Sequence, residues 1–359
     1  MTDLETLLQQ PVFALPQALK DAVLLPLLKE LTRHHRDACA PYRRIVELTA
    51  PDFARAATIA DLPFLPVSLF KFRALRSVAL DAVRVTVQSS GTAGAAQSRI
   101  DLDADNARMA ARTLAAIMAP ITGGRRLPML IIDSEAAVRG RDRIGARAAA
   151  ILGLMPYGRD HVFVLDDDLQ AAPERIAAFL EQHRGADILL FGFTFLVWQA
   201  LLPLCRAQQF DLSRATLLHS GGWKKLESLA VDNRAFKQAL HDAAGIARVV
   251  NFYGMAELPG TIFPEGADGL LYPPNFADII IRDPVHFRPA PPGEPGLVQI
   301  VNGVARSYPG HSILTEDMGV IESAGCAANN FQGRGLRILG RAPRAEMRGC
   351  SDVLAGMAA

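Results

Sequence analysis

Apolar residues recur at three- and four-residue steps through the first 60 positions: Leu4, Leu7 and Leu8, then Leu19, Val23, Leu24, Leu27, Leu28 and Leu31. That spacing predicts helices with one buried stripe. Residues 63–71 are punctuated by Pro63 and Pro66 and read as extended. From about residue 84 the pattern alternates. Short β-branched and apolar runs at 84–88, 127–133, 162–165, 187–191, 216–219 and 248–252 predict strands. Longer periodic stretches at 104–119, 172–183, 194–208 and 233–243 predict helices. Strands that are apolar throughout, alternating with helices, predict a largely parallel α/β sheet buried on both faces. After about 270 the texture changes to a turn-rich connection at 289–295, then short runs at 296–302, 312–315, 319–322 and 336–339. These predict a small β-rich subdomain. The expected division is therefore 1–83, a helical segment packed on the core; 84–270, an α/β core; and 271–359, the β subdomain.

Composition narrows this picture only by exclusion. The 359 residues carry a net charge of +1, which gives no bulk electrostatic case for nucleic acid or an anionic membrane. The start, Met1-Thr2-Asp3-Leu4-Glu5, is acidic and lacks the basic n-region of a secretory signal. The richest apolar run, 186–202, contains Asp187, Gly192 and Gln199 and falls short of the roughly 20 apolar residues of a membrane span. The four cysteines, Cys39, Cys205, Cys326 and Cys350, form no C-x-x-C pair. A reduced, cytoplasmic setting is the expectation.

The chemistry concentrates at the ends of the expected strands, where open α/β sheets bind ligands. The run Val85-Thr86-Val87-Gln88 stops at Ser89-Ser90-Gly91-Thr92-Ala93-Gly94, and Ser98-Arg99 follows. Glycines let successive N–H groups turn inward around phosphate oxygens, and hydroxyls and a cation add further donors. The loop fits neither G-x-x-x-x-G-K-[ST] nor G-x-G-x-x-G. A second strand ends in Tyr253-Gly254-Met255-Ala256-Glu257, pairing an aromatic face with a carboxylate suited to Mg²⁺. Asp317, in Thr315-Glu316-Asp317, can accept two ribose hydroxyls, and Arg341 offers a cation for ribose or phosphate. His219-Ser220-Gly221-Gly222-Trp223-Lys224 closes another strand, where His219 can orient a substrate. Phe191 and Phe193, with Trp223, are candidates for a hydrophobic acyl or aryl pocket or for core packing. His34-His35 reads as a surface pair.

These elements, in this order, resemble the adenylate-forming superfamily of acyl-activating enzymes. The resemblance is strongest to its acyl-protein synthetase branch (LuxE type, related to phenylacetate–CoA ligases). The features of that branch are Pro66-Val67-Ser68-Leu69-Phe70-Lys71, the Ser89-Ser90-Gly91-Thr92 loop, the 218–225 run and the ending Arg348-Gly349-Cys350. The resemblance implies the large-domain fold of that superfamily. It implies ATP and Mg²⁺ as co-reactants, with Ser89, Ser90, Gly91, Thr92, Gly94, Ser98, Gly221, Gly222, Tyr253, Gly254, Met255, Asp317 and Arg341 at the nucleotide. Thr92 and Glu257 would face the metal, and Arg99, Lys224 and His219 would serve catalysis. The implied reaction activates a carboxylic acid as acyl-adenylate and passes the acyl group to a thiol. Cys350 occupies the place of the branch's acyl-accepting cysteine, from which a partner protein (a reductase or carrier) takes the group.

The sequence departs from the superfamily at three points. Ala93 replaces a usual Thr or Ser, and Ser98-Arg99 stands where a lysine is familiar. The sequence also stops nine residues after Cys350, leaving no room for the usual mobile lid with its lysine. Lys71, Lys224 and Lys225 are candidates to replace that lysine. Coenzyme A or a carrier-protein thiol as acceptor, and a non-catalytic nucleotide-binding subunit, remain alternatives.

Overall fold

The computed structural model describes residues 4–89, 97–139, 144–222 and 231–342. The chain divides into two compact units. One comprises Met1–Ile117 with Met255–Ala359, and the other Met118–Gly254.

The second unit is built on the buried strands that the apolar runs predict. Five strands fall in it, ordered Arg248–Tyr253, Ala215–Ser220, Ile188–Phe193, Leu127–Ser134, Gly158–Leu165, and every neighbouring pair is parallel. Each side of this sheet is apolar. Leu130, Ile132, Ile188, Leu190 and Leu217 face helices Pro173–Gln182, Leu202–Gln208 and Asn233–Ala244, which contribute Ile176, Phe179, Cys205, Phe236 and Leu240. Met129, Ile131, Leu189, Phe191 and Leu218 are buried on the alternate positions. The order of the strands reverses between Leu127–Ser134 and Ile188–Phe193, the kind of position where α/β sheets open a crevice at their carboxyl ends. The periodic stretch 194–208 is not one regular helix. It runs as Thr194–Leu196, a wider π-turn over Val197–Leu201, and Leu202–Gln208. Pro203, at the start of the last piece, has no N–H to donate and crowds the carbonyl four residues back, so the turn before it widens.

The first unit is mainly antiparallel. Strands Ala277–Arg282, Gly296–Asn302 and Ser312–Cys326 pair in sequence, and Phe331–Arg341 returns along the last of them. The 15-residue strand Ser312–Cys326 absorbs both short runs expected at 312–315 and 319–322. Its free edge is shared. Leu65–Pro66 pairs in parallel with Ile313–Leu314, and Phe331–Arg341 takes over from Asp317 onward. Only those two residues of 63–71 are strand, since Leu69–Phe72 turns into a short helix. The 84–88 run is not part of the parallel sheet. It lies in Val83–Gln88, which pairs antiparallel with Arg99–Asp103. The polar–apolar alternation of Arg99-Ile100-Asp101-Leu102-Asp103 is the signature of such a partner.

Helix Gln17–Ala38 lays Leu24, Leu28, Leu31, Thr32 and His35 into this unit. His35 is therefore no surface residue. Its ring stacks on His311 at 4.9 Å, its Nε2 donates to the Ala305 carbonyl (3.0 Å), and Ser77 Oγ lies 2.7 Å from its Nδ1. Lys20 is buried on the same helix, donating to the Pro273 carbonyl at 2.9 Å beside Asp278 at 3.8 Å. Helix Ala104–Thr122 is docked by Thr113, whose hydroxyl bonds the Gly260 carbonyl at 2.9 Å. Gly260 has φ +79°, and a Cβ there would overlap the Ala110 backbone, so only glycine fits.

Among the described residues, no helix is long and apolar enough to cross a membrane.

Candidate functional site

Ser89 and Ser98 close the base of the glycine-rich loop. Ser89 N–H donates to the Ser98 carbonyl (3.1 Å), and Ser98 N–H donates to Ser89 Oγ (2.9 Å). The hairpin thus delivers both ends of the loop to one place. Ser90, Gly91, Thr92 and Gly94 lie outside the described residues. Arg99, expected to supply charge, starts the return strand half-exposed and pairs with Asp101 at 3.0 Å. Asp101 also accepts from Arg76 (3.0 Å) and Thr86 (2.7 Å), which holds its carboxyl below the usual range despite partial burial.

Glu257 lies beyond the strand end at Tyr253, on a turn fixed by Leu258 N–H donating to the Met255 carbonyl at 3.0 Å. Its own carbonyl accepts the Tyr308 hydroxyl at 2.9 Å. The side chain is buried, and burial raises its pKa. Ser98 is the first influence that pulls it back down, and Lys71 acts in the same direction, while Glu316 raises it. The Ser98 hydroxyl is buried beside this carboxyl.

Asp317 and Arg341 face each other in register across two strands, with Arg341 Nε 3.7 Å from Asp317 Oδ1. Thr315 braces this point. Its hydroxyl donates to the Val298 carbonyl (2.7 Å) and accepts from Asp317 N–H (3.1 Å). Glu316 was not singled out from the sequence, yet its two oxygens meet Lys71 and Arg341, each at 3.4 Å. Ser98, Glu257, Lys71, Glu316, Asp317 and Arg341 all belong to the first unit.

In the second unit, His219, Ser220, Gly221 and Gly222 follow one another at the end of strand Ala215–Ser220. Gly221 turns the chain with φ +85°. His219 is buried against Phe236 (4.7 Å between rings), with Nδ1 3.0 Å from Thr194 Oγ1. Thr194 is also placed to donate to the Ser220 carbonyl at 3.2 Å. Burial, with Lys237 nearby, pushes the His219 pKa down to about 3, so the ring is neutral at physiological pH. Its Nε2 has no partner among the described residues. Phe191 is fully buried and packs edge-on to Phe193 at 5.7 Å and stacked with Phe252 at 6.4 Å. Phe193 ends its strand at the reversal of strand order, and Tyr253 and Gly254 close the unit's edge strand. Trp223, Lys224, Lys225 and Cys350 lie outside the described residues. The other three cysteines are buried.

Sequence order hid Glu316, Tyr308 and Thr194. Only Glu316 carried a signal, its place beside Asp317.

Among solved structures, a 2-hydroxyisobutyryl-CoA ligase in an open conformation, bound to 2-HIB-AMP and CoA, matches with a TM-score of 0.70 and 16% identity. The match covers 93% of this chain and 77% of that one. At that identity the likeness concerns fold, and the fold is that of adenylate-forming enzymes. The LuxE acyl-protein synthetase profile matches residues 5–358. Two relatives bear the name long-chain-fatty-acid–luciferin-component ligase. That of Aliivibrio fischeri is 23% identical over 312 residues, covering 84% of this chain and 79% of its own. That of Vibrio harveyi is 23% identical over 309 residues, covering 81% and 76%. The chain belongs to the LuxE acyl-protein synthetase family, and with it to the AMP-forming acid–thiol ligases.

Proposed function

We propose that this enzyme uses ATP to activate a long-chain or otherwise hydrophobic carboxylic acid and then loads the acyl group onto a thiol, its own Cys350, for transfer to a partner reductase or carrier protein. The observation that carries this reading is the convergence of Glu257, Ser98, Lys71, Glu316, Asp317 and Arg341 from five separate stretches of sequence.

In the first step an oxygen of the acid attacks the α-phosphorus of ATP. An O–P bond forms, the bond to pyrophosphate breaks, and pyrophosphate leaves. Asp317 would accept the ribose hydroxyls and Arg341 would cover ribose or phosphate. The loop of Ser89 to Ser98, with Thr92 and Gly94, would hold phosphate oxygens with fixed N–H and O–H donors.

The donor set fits magnesium. Among the described residues no three or more His, Cys, Asp or Glu side chains converge as a cage. A magnesium ion needs none, since it arrives on phosphates, keeps water and takes one or two carboxylates. Glu257, a buried carboxylate short of compensation, is such a ligand, with Thr92 as its expected companion. The ion supplies charge neutralisation at the phosphates. In the second step a thiolate attacks the acyl carbon, a C–S bond forms, and AMP leaves. The long-chain-fatty-acid ligases among the relatives favour a hydrophobic acid.

The test is pyrophosphate release from Mg-ATP with acids from acetate to myristate and aryl acids, with hydroxylamine as trap. We expect acid-dependent release and a hydroxamate, strongest with long chains. With labelled acid and ATP, Cys350→Ser should lose stable acyl labelling and keep hydroxamate formation. Labelling that survives the change moves the acceptor away from Cys350. No release with any acid, while ATP still binds, would leave a nucleotide-binding subunit.

A further inference from the structure

Lysine is rare in this chain, with 6 lysines among 38 basic residues, so each ammonium is conspicuous. Lys71 sits on the four-residue helix Leu69–Phe72, too short to be held by its own hydrogen bonds. It is held by its flanks. Leu65–Pro66 pairs with Ile313–Leu314, and Val67 N–H extends that ladder to the Leu314 carbonyl at 2.9 Å. Phe70 is buried edge-on against Tyr308 at 6.1 Å, and the Tyr308 hydroxyl is bonded to the Glu257 carbonyl. The same scaffold therefore fixes Lys71, Glu257 and Glu316 relative to one another. Lys71 is close enough to Glu257 to favour its ionised form.

Lys71 is paired loosely. Its Nζ lies 3.4 Å from Glu316 Oε1, beyond the 2.7–2.9 Å usual for charged N–H···O contacts. The two side chains are 29% and 22% exposed, so solutes reach the pair. The other oxygen of Glu316 faces Arg341 at 3.4 Å. If Lys71 turns to another anion, Glu316 keeps a cationic partner. That removes the usual penalty of breaking a half-buried ion pair, which comes from the charge left behind.

We propose that Lys71 is the substrate-binding cation for the acid: its ammonium exchanges Glu316 for the acid's carboxylate and holds that carboxylate beside Glu257 for attack on ATP. The inference rests on the acid-activating function proposed above and names the residue that receives the acid. Arg341 and Asp317 stay with the nucleotide, so the two substrates meet at Glu316–Asp317 from opposite sides.

The experiment is acid-dependent ATP–pyrophosphate exchange with wild type, Lys71→Gln and Lys71→Arg, varying acid and ATP separately, with ATP affinity measured by calorimetry. We expect Lys71→Gln to lose about 10²-fold in exchange per unit acid, as when a preorganised charge-stabilising donor is removed. The KM for acid should rise, while ATP affinity stays within about twofold, which also reports an intact fold. Lys71→Arg, which keeps the charge, should recover most of the loss. Unchanged kinetics in Lys71→Gln, a loss that falls on ATP alone, or no rescue by arginine would overturn the assignment. Wild type without exchange for any acid would overturn the acid-activating function itself, and this inference with it.

Discussion

Glu257 is buried among groups that do not fully compensate a negative charge. Burial raises its pKa, with Ser98 and Lys71 only partly opposing this. A carboxyl with a raised pKa contributes stability while protonated, below its unfolded pKa, and loses that contribution as pH rises through the folded value. As pH rises the ionised carboxylate thus becomes a cost to folding. Glu257→Gln keeps the shape and removes the charge, so urea denaturation at pH 8 should show the variant as stable as wild type or about 1 kcal/mol more stable. Its Mg-ATP-dependent exchange should fall by about 10²-fold. A variant that is both less stable and fully active would deny Glu257 its place at the metal. Tyr308 gives the contrasting case. Tyr308→Phe leaves the buried Glu257 carbonyl without its donor, and should cost about 1–3 kcal/mol in the same titration. An unchanged midpoint would mean the carbonyl finds another partner.

At the scale of elements, Gly260 shows how tightly helix Ala104–Thr122 is seated. Alanine there meets the Ala110 backbone and must adopt φ +79°. Gly260→Ala should lower stability by at least about 2 kcal/mol, read as a shift in the thermal midpoint. A smaller effect would mean that the turn relaxes freely. The parallel strands were legible in sequence because a strand buried on both faces is apolar at every position. Strand Ala277–Arg282 was not, because Asp278 and Arg282 break its apolar run. Both are satisfied in part from far along the chain. Asp278 meets Lys20 and Arg334, while Arg282 meets Gln299 and the Ala60 carbonyl. Lys20 and Ala60 lie more than 200 residues from the groups they satisfy, and no local pattern carries such partners. The candidate site divides the same way. Asp317, Glu257 and the serine-glycine loop stood out by residue type and order. The joining of Lys71 to Glu316 depends on a two-residue parallel pairing that leaves no periodic trace.

The molecule as a whole carries neutral histidines in both of its units. His219 lies in one, and His35 and His311 in the other. Burial lowers all three, His219 and His311 to about 3. An imidazole with a depressed folded pKa takes up its proton on unfolding. Stability is therefore complete above the unfolded value of about 6.5 and falls as pH drops from there toward 3, by about 1.4 kcal/mol per pH unit for each histidine. Glu257 works in the opposite direction, but it is one group against three. Urea midpoints should hold steady from pH 8 to 7 and drop steeply between 6.5 and 5. His219→Gln and His311→Gln should each flatten that slope by about one proton, whatever they do to stability at pH 8. A wild-type midpoint that is flat from pH 8 to 5 would mean that the histidines reach water in the folded state. The stacked His35–His311 pair and the His219 ring packed on Phe236 would then have to open far more readily than their close packing implies.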